Sequence, residues 1–554
     1  RERVLNGQRK GFQLAEKGFS IGRERVLTGE NKMTNRKKTK NLPRIAFAAP
    51  GSGSGKTVVT CGFLKLLQRK NLSCISFKCG PDYIDPMFHR YVLGIPGYNL
   101  DSFFLSPEQV KDLLFEKAAV LSDNKNSTKK NSTRKNNRTK TKKADFAVIE
   151  GVMGFYDGIG GDTVHASTYE IAKITDTPVV LVIDGKKSSL SLAALAKGFL
   201  EYTPDSHIRG VILNRTSPAM AERLKPCLEK LGIHVYGAVP VCEEANWESR
   251  HLGLTLPGEQ EKLQEKIEHW ADRLEEYLDV EGLLELANQA PMLEKSVLSE
   301  TERSRETLPA EKSKETLPNE RKKEIISAKS VLPKTPTADN RIKTIRRIAI
   351  ARDEAFCFYY QDNLDLLQQA GWELIPFSPL CDHRLPCAGI SAILLGGGYP
   401  EVFVKELSEN HEMIKEIQTA SRHGIKFLAE CGGFLYLHEW LEGTNADSYP
   451  MAGLLPAKGF KTNKLSRFGY ITLFNAQGNR MFRGHEFHYW DSTLPGKDWK
   501  AVKPLSTRQW DCMVVTENML AGFPHLYYGS NPEWILRFLS GDSSDLFLLE
   551  DNSE

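Results

Sequence analysis

Six short runs in the first half of the chain are apolar at nearly every position. They are RIAFAA (44–49), CISFKCG (74–80), FAVIEGV (146–152), PVVLVID (178–184), GVILNR (210–215) and VYGAVP (235–240). A strand with one face in water would alternate apolar and polar residues. These do not, so they read as strands buried on both faces of a parallel sheet. The segments between them carry helical patterns, as in TVVTCGFLKLLQRK (57–70). Strand–helix repetition of this kind predicts a doubly wound α/β domain. A second such series starts at RIAIARDEAF (347–356) and runs through ELIPFSP, AILLGGGYP and IKFLAECGG (425–433). The expected fold class is therefore α/β, with two doubly wound parallel-sheet domains.

The pattern also marks what lies outside the two domains. Residues 1–42 read as a disordered extension, because RERVLNG at residue 1 recurs as RERVLTG at residue 23. Met33 reads as a natural start within it. The first domain spans 43–258, interrupted by the basic tract 123–143, an expected disordered surface loop. Residues 259–289 read as a helix. The Glu/Lys/Ser/Pro-rich stretch that follows, to about 343, reads as a low-complexity linker. The second domain spans 344–540, with 541–554 as a tail.

Composition changes the picture in three ways. The net charge of the 554 residues is +4, but residues 1–44 and 123–143 carry +9 and +8. The rest of the chain is thus acidic, at −13, which argues against a nucleic-acid surface on the folded body. No run of about 18 apolar residues predicts a membrane span, and the start has no apolar signal core. None of the ten cysteines forms a CxxC pair, so reduced thiols in a cytoplasmic protein are expected.

The candidate chemistry lies at strand ends. APGSGSGKT (49–57) follows a strand and opens a helix. Backbone N–H groups of Gly51, Ser52, Gly53, Ser54 and Gly55 can converge there on phosphate oxygens, helped by the helix N-terminus. Lys56 would reach the terminal phosphates of ATP, and Thr57 would offer its hydroxyl to Mg²⁺. Pro50 stands where the strict P-loop pattern has its first glycine. KCGPDYIDP (78–86) brings Asp82 and Asp85 to the end of the second strand, and IEGVMGFYDG (149–158) brings Glu150 and Asp157 to the end of the third. Such carboxylates either cap turns or handle metal and substrate; Asp82 and Glu150 are the metal candidates, Asp85 and Asp157 the candidates for phosphoryl and substrate handling.

In the second domain Cys431 sits at a strand–helix turn before two glycines. A thiol there is expected to be exposed, with its pKa lowered by the helix N-terminus. The N–H of Gly432 can bind an oxyanion, and Gly397 and Gly398 of GGGYP can supply a second donor. GHEFHY (484–489) offers His485 or His488 as the base.

Taken together, PGSGSGKT, FKCGPDYIDPMFH, YNLDSFF, EGVMGFYDG, ESRHLGL, LLGGGYPE, ECGGFLYL and GHEFHY stand in the order found in cobyrinate a,c-diamide synthases of cobalamin biosynthesis. The resemblance covers roughly 44–256 and 345–535. It implies an N-terminal ATP-dependent domain similar to dethiobiotin synthetase. It also implies a C-terminal flavodoxin-like domain that resembles class I-type glutamine amidotransferases. Carried over by position, it makes Cys431 the nucleophile and prefers His488 to His485. It matches Lys56, Thr57, Lys78 and Glu150 to nucleotide and Mg²⁺ positions, and Asn214 to an adenine-side asparagine. Its implied partners are cobyrinate, L-glutamine and ATP, with neither nucleic acid nor membrane, and a homodimer stays open. The acid two residues after the histidine in standard amidotransferases is missing, since Trp490 stands there, so a Cys–His dyad is expected. The rivals are the same amidation on nickel-sirohydrochlorin in coenzyme F430 synthesis, cobyric acid synthase, and a non-catalytic P-loop switch protein.

Overall fold

The computed structural model describes residues 39–119, 143–245, 257–296, 346–386, 388–465 and 467–541. The expected extension, most of the basic insertion, the ESRHLGL motif, most of the linker and the tail lie outside the described residues.

The first domain is built on seven strands: β1 (Arg44–Ala48), β2 (Cys74–Cys79), β3 (Gly97–Leu100), β4 (Phe146–Glu150), β5 (Val179–Asp184), β6 (Ile208–Asn214) and β7 (His234–Val239). They pair in the order β3-β2-β4-β1-β5-β6-β7, every neighbour parallel. The six apolar runs all form strands. The additional one, β3, is a four-residue edge strand. Helix α1 (Lys56–Arg69) follows β1 directly. The helix expected at 259–289 is two helices, Pro257–Tyr277 and Val280–Asn288, which join this domain's core. Trp270 is fully buried against α1, and its Nε1–H donates to the Val58 carbonyl at 2.9 Å.

The second domain has a parallel sheet of β8 (Arg346–Ala351), β9 (Trp372–Phe377), β10 (Ala392–Leu395), β11 (Lys426–Glu430) and, far along the chain, Met519–Gly522. Their spatial order, β9-β8-β10-β11 and then Met519–Gly522, is the flavodoxin-like arrangement. Val514–Val515 adds an antiparallel edge. Most of an antiparallel sheet is inserted before the last parallel strand, and His525–Tyr527 completes it after that strand. Its central hairpin is β12 (Arg467–Asn475) and β13 (Arg480–His488), with Phe468 opposite Phe487 and Gly469 opposite Glu486.

The contact between the domains is aromatic. Tyr83, in the turn after β2, lies flat on Phe358 with centroids 5.4 Å apart and packs against Tyr360, His485 and His525. Tyr470 of β12 donates its hydroxyl to Asp101 at 2.9 Å, and Lys117 pairs with Asp362 at 3.1 Å.

Candidate active site

The loop after β1 closes on itself. Gly55 adopts φ 94° as the helix cap, a conformation that suits glycine. The Ser54 hydroxyl donates to the Gly51 carbonyl at 2.9 Å. Asn214, at the end of β6, donates its amide to the Ser54 carbonyl at 2.8 Å, so it clasps the loop itself. Lys56 donates to the Met153 carbonyl at 2.6 Å and to the Gly51 carbonyl at 3.2 Å. Burial, reinforced by the nearby Lys78, pulls the Lys56 ammonium down to about 8.

Register explains the polar knot beside it. Lys78 on β2 lies opposite Glu150 on β4, and Lys78 donates to Glu150 Oε1 at 2.9 Å. Thr57 donates its hydroxyl to the same oxygen at 2.6 Å. Asp85 also pairs with Lys78. Burial opposes the Lys78 charge, but Asp85 and Glu150 outweigh it and hold the ammonium well above its ordinary value. Burial and the neighbouring Glu150 charge push the Asp85 carboxyl up. His89, which ends the FKCGPDYIDPMFH motif and is not among the expected site residues, stands 3.4 Å from Glu150 Oε2. Asp82 accepts from the Ile84 N–H at 2.9 Å, and Asp157 from the Gly154 N–H at 2.8 Å. Both bonds order the carboxylates' own turns, and Asp157 is not joined to Lys78 or Glu150.

In the second domain β11 delivers Cys431 to a sharp turn. Its φ of 50° and ψ of −102° are rare for a residue with a side chain and store strain of about 1–3 kcal/mol. Gly432 approaches the GGGYP turn so closely that a Cβ there would lie 3.1 Å from the Gly398 nitrogen. The expected oxyanion residues Gly398 and Gly432 are thus adjacent. The Gly397 carbonyl accepts from the N–H groups of Cys357 and Phe358 at 3.0 and 2.9 Å, which fixes that turn.

Two expectations about the thiol change. Cys431 is buried, at 8% exposure, although it lines a cavity. Burial, with Glu401 and Glu486 nearby, pushes the thiol up rather than down. The helix after it has five residues, too short to offset that.

His488 ends β13. Its Nδ1 lies 2.5 Å from the Trp490 carbonyl and its Nε2 lies 3.2 Å from Glu486 Oε2. It is not hydrogen-bonded to Cys431. Glu486 has no exposed surface; it also accepts from the Trp510 indole at 3.1 Å and lies 3.8 Å from Arg467. A carboxylate thus stands beside the histidine from two residues before it rather than two residues after. His485 belongs to the aromatic contact instead, bonded to the Tyr360 hydroxyl at 2.9 Å, and burial pulls it down to about 3.

One cavity of about 480 Å³ joins the two halves of this chemistry. Cys431, Gly398, Gly432 and His488 line one wall, and Asp82, Val152, Met153 and Gly158 of the first domain line the other.

Residues 44–249 match the family described as AAA domain, and residues 347–533 the family described as CobB/CobQ-like glutamine amidotransferase domain. A cobyrinate a,c-diamide synthase of Salmonella typhimurium is 36% identical over 507 residues, 89% of this chain and 97% of that protein. The one from Caldanaerobacter subterraneus is 36% identical over 510 residues, covering 90% and 98%. That of Listeria innocua is 34% identical over 513 residues, covering 90% and 98%. A P-loop domain coupled to such an amidotransferase domain defines a class, the glutamine-dependent amidating ligases. The chain belongs to the cobyrinate a,c-diamide synthase family.

Proposed function

We propose that this protein amidates the a and c carboxylates of cobyrinate in cobalamin biosynthesis, using ATP for activation and glutamine for nitrogen. The observation that carries the reading is the shared cavity. Cys431 lines one wall, and Met153, whose carbonyl holds the Lys56 ammonium, lines the other. A nucleophile released at the first point and an acceptor activated near the second share one cavity.

A substrate carboxylate oxygen attacks the γ-phosphorus of ATP, giving an acyl phosphate and ADP. Lys56 neutralises charge on the transferred group. At the other wall His488 takes the Cys431 proton, and the buried Glu486 stabilises the imidazolium that forms. Each ring nitrogen already has a partner, so the ring turns from one of them as glutamine binds; catalytic hydrogen bonds tighten only in the loaded site. The thiolate attacks the glutamine side-chain carbonyl, and the N–H groups of Gly432 and Gly398 face the oxyanion. The imidazolium returns its proton to the amide nitrogen, the C–N bond breaks and ammonia leaves, and water then cleaves the thioester to glutamate and free thiol. Ammonia then displaces phosphate from the acyl phosphate to give the amide.

Oxygen donors suit Mg²⁺. The Thr57 hydroxyl and Glu150 fit that requirement, and the buried Glu150 Oε2 has no close hydrogen bond among the described residues, His89 standing 3.4 Å away; Asp82 stands nearby, 4.0 Å from Lys78. No cluster of three acidic, histidine or cysteine side chains converges among the described residues, so phosphates and water would complete the shell. Bound there, Mg²⁺ would supply charge neutralisation for the phosphates. No helix among the described residues is long and apolar enough to cross a membrane. The nine described cysteines are all free, which supports a reducing compartment such as the cytoplasm.

The test is incubation with ATP, Mg²⁺, glutamine and either cobyrinate or nickel-sirohydrochlorin, read by mass. Conversion of two carboxylates to amides on cobyrinate supports the reading. Amidation of the nickel macrocycle alone moves the substrate to the rival, and turnover of neither with intact ATP would mark a binding protein.

A further inference from the structure

The cavity has a rim that none of these steps uses. On the hairpin, Phe468 and Phe487 face each other as cross-strand partners with centroids 5.6 Å apart, and Tyr489 stands 6.0 Å from Phe487. All three line the cavity. All three are also well exposed, at 54%, 49% and 47%. Large aromatic rings left in water at a cavity mouth are a costly arrangement unless something flat covers them.

Beside them stands Lys503, which also lines the cavity. Its ammonium donates to the Phe468 carbonyl at 2.8 Å. No carboxylate pairs with it among the described residues. Partial burial and the nearby Arg508 both act against its charge. Asp82, Glu401, His485 and His488 are among the titratable groups that line the same cavity. Leu505, two residues on, reaches the first domain, where a Cβ at Gly160 would lie 3.8 Å from its Cδ1. The rim therefore bridges the two domains at the open end of the cavity.

We propose that Phe468, Phe487, Tyr489 and Lys503 form the seat for a flat, conjugated macrocycle bearing several peripheral carboxylates. This rests on the function proposed above and adds where the ring lies. The rings of the three aromatics cover the macrocycle face by stacking. Lys503 pairs with a carboxylate that is not being amidated, the anion its surroundings lack. The carboxylate to be activated then points inward, toward Met153 and Lys56. Because the seat contributes no reacting group, it sets binding and choice of carboxylate rather than the chemical rate.

The test uses the full chain and cobyrinic acid as probe, titrated by its visible absorption. Phe468→Ser with Phe487→Ser, and separately Lys503→Ala, are expected to weaken binding at least tenfold. Lys503→Arg should return to within threefold, and the remote exposed Trp440→Ser should bind as the parent does. Phe468 and Phe487 are about half in water and Lys503 is partly exposed, so thermal unfolding should stay near the parent's and exclude misfolding as the cause. With ammonium as nitrogen source, KM for cobyrinic acid should rise while kcat changes less than threefold. If the parent binds and the seat variants bind equally well, the seat is overturned and the proposed function stands. If the parent binds no cobyrinic acid, the proposed function fails first.

Discussion

Removing the charge of Glu486 isolates its role. Glu486→Gln keeps the shape and an oxygen for the Trp510 indole, now 3.1 Å away, but removes the carboxylate 3.2 Å from His488. Coulomb attraction between an imidazolium and a carboxylate at that distance is about 5 kcal/mol at an effective dielectric of 20. Much of this is offset by taking both ions out of water. The net worth of a charge-assisted hydrogen bond, about 1.5–3 kcal/mol, is the better guide. In the proposed mechanism an imidazolium accompanies the thiolate, so the loss is expected on the step to the thioester. Glutaminase kcat/KM should drop about 10- to 150-fold. Amidation with ammonium should be unchanged, because the carboxylate touches neither ATP nor acceptor. Glu486→Asp should recover part of the loss. The assay is glutamate release beside ammonium-dependent ATP turnover on one preparation. Glutaminase within twofold of the parent would refute the role, as would equal losses with both nitrogen sources.

Three further outcomes follow from the same geometry. Lys56→Ala should cut amidation with either nitrogen source by about 10²–10³-fold, about 3–4 kcal/mol of lost electrostatic stabilisation; comparable initial rates at saturating ATP would exclude the loop from the mechanism. Tyr83→Ala should destabilise the protein by roughly 3–5 kcal/mol, the cost of deleting a buried aromatic, since Tyr83 packs on four rings of the other domain; a urea midpoint unchanged from the parent would contradict that. Burial pushes Glu430 up to about 8, against the bond it accepts from Tyr528. Below about pH 4.5 it is protonated in both folded and unfolded chains, and as pH rises to 8 only the unfolded chain ionises, so it costs stability. Glu430→Gln should therefore stabilise the protein at pH 8, by roughly 3–5 kcal/mol at most, and hardly at all at pH 4.5; a gain that grows on acidification would show the reverse sign.

Much of the architecture was legible because strands buried on both faces cannot hide polar residues, as VVLVID shows. β3, with the sequence GYNL, was not, since a short edge strand with Asn99 lacks an apolar run. The inserted hairpin was missed for a related reason: its cavity-facing aromatics blur the alternation that marks a half-exposed sheet. Cys431 was visible from its glycines and strand end. Its raised thiol was not, because the burial chiefly responsible, and the nearby Glu401 and Glu486, come from distant segments packed around it. Glu486 had a signal that went unused. Residues two apart on a strand share a face, so an acid at 486 stands beside a base at 488 once GHEFHY is known to be extended.

The central claim is that Cys431 makes the nitrogen nucleophile and the P-loop prepares its acceptor. Cys431→Ala tests it most directly, with cobyrinate and ATP and with either glutamine or a high concentration of ammonium salt at alkaline pH. The account predicts no amide from glutamine and a mass corresponding to two amides from ammonium. Amidation from glutamine by the variant would place the nucleophile elsewhere. A folded variant that used neither source would contradict the separation of the two half-reactions.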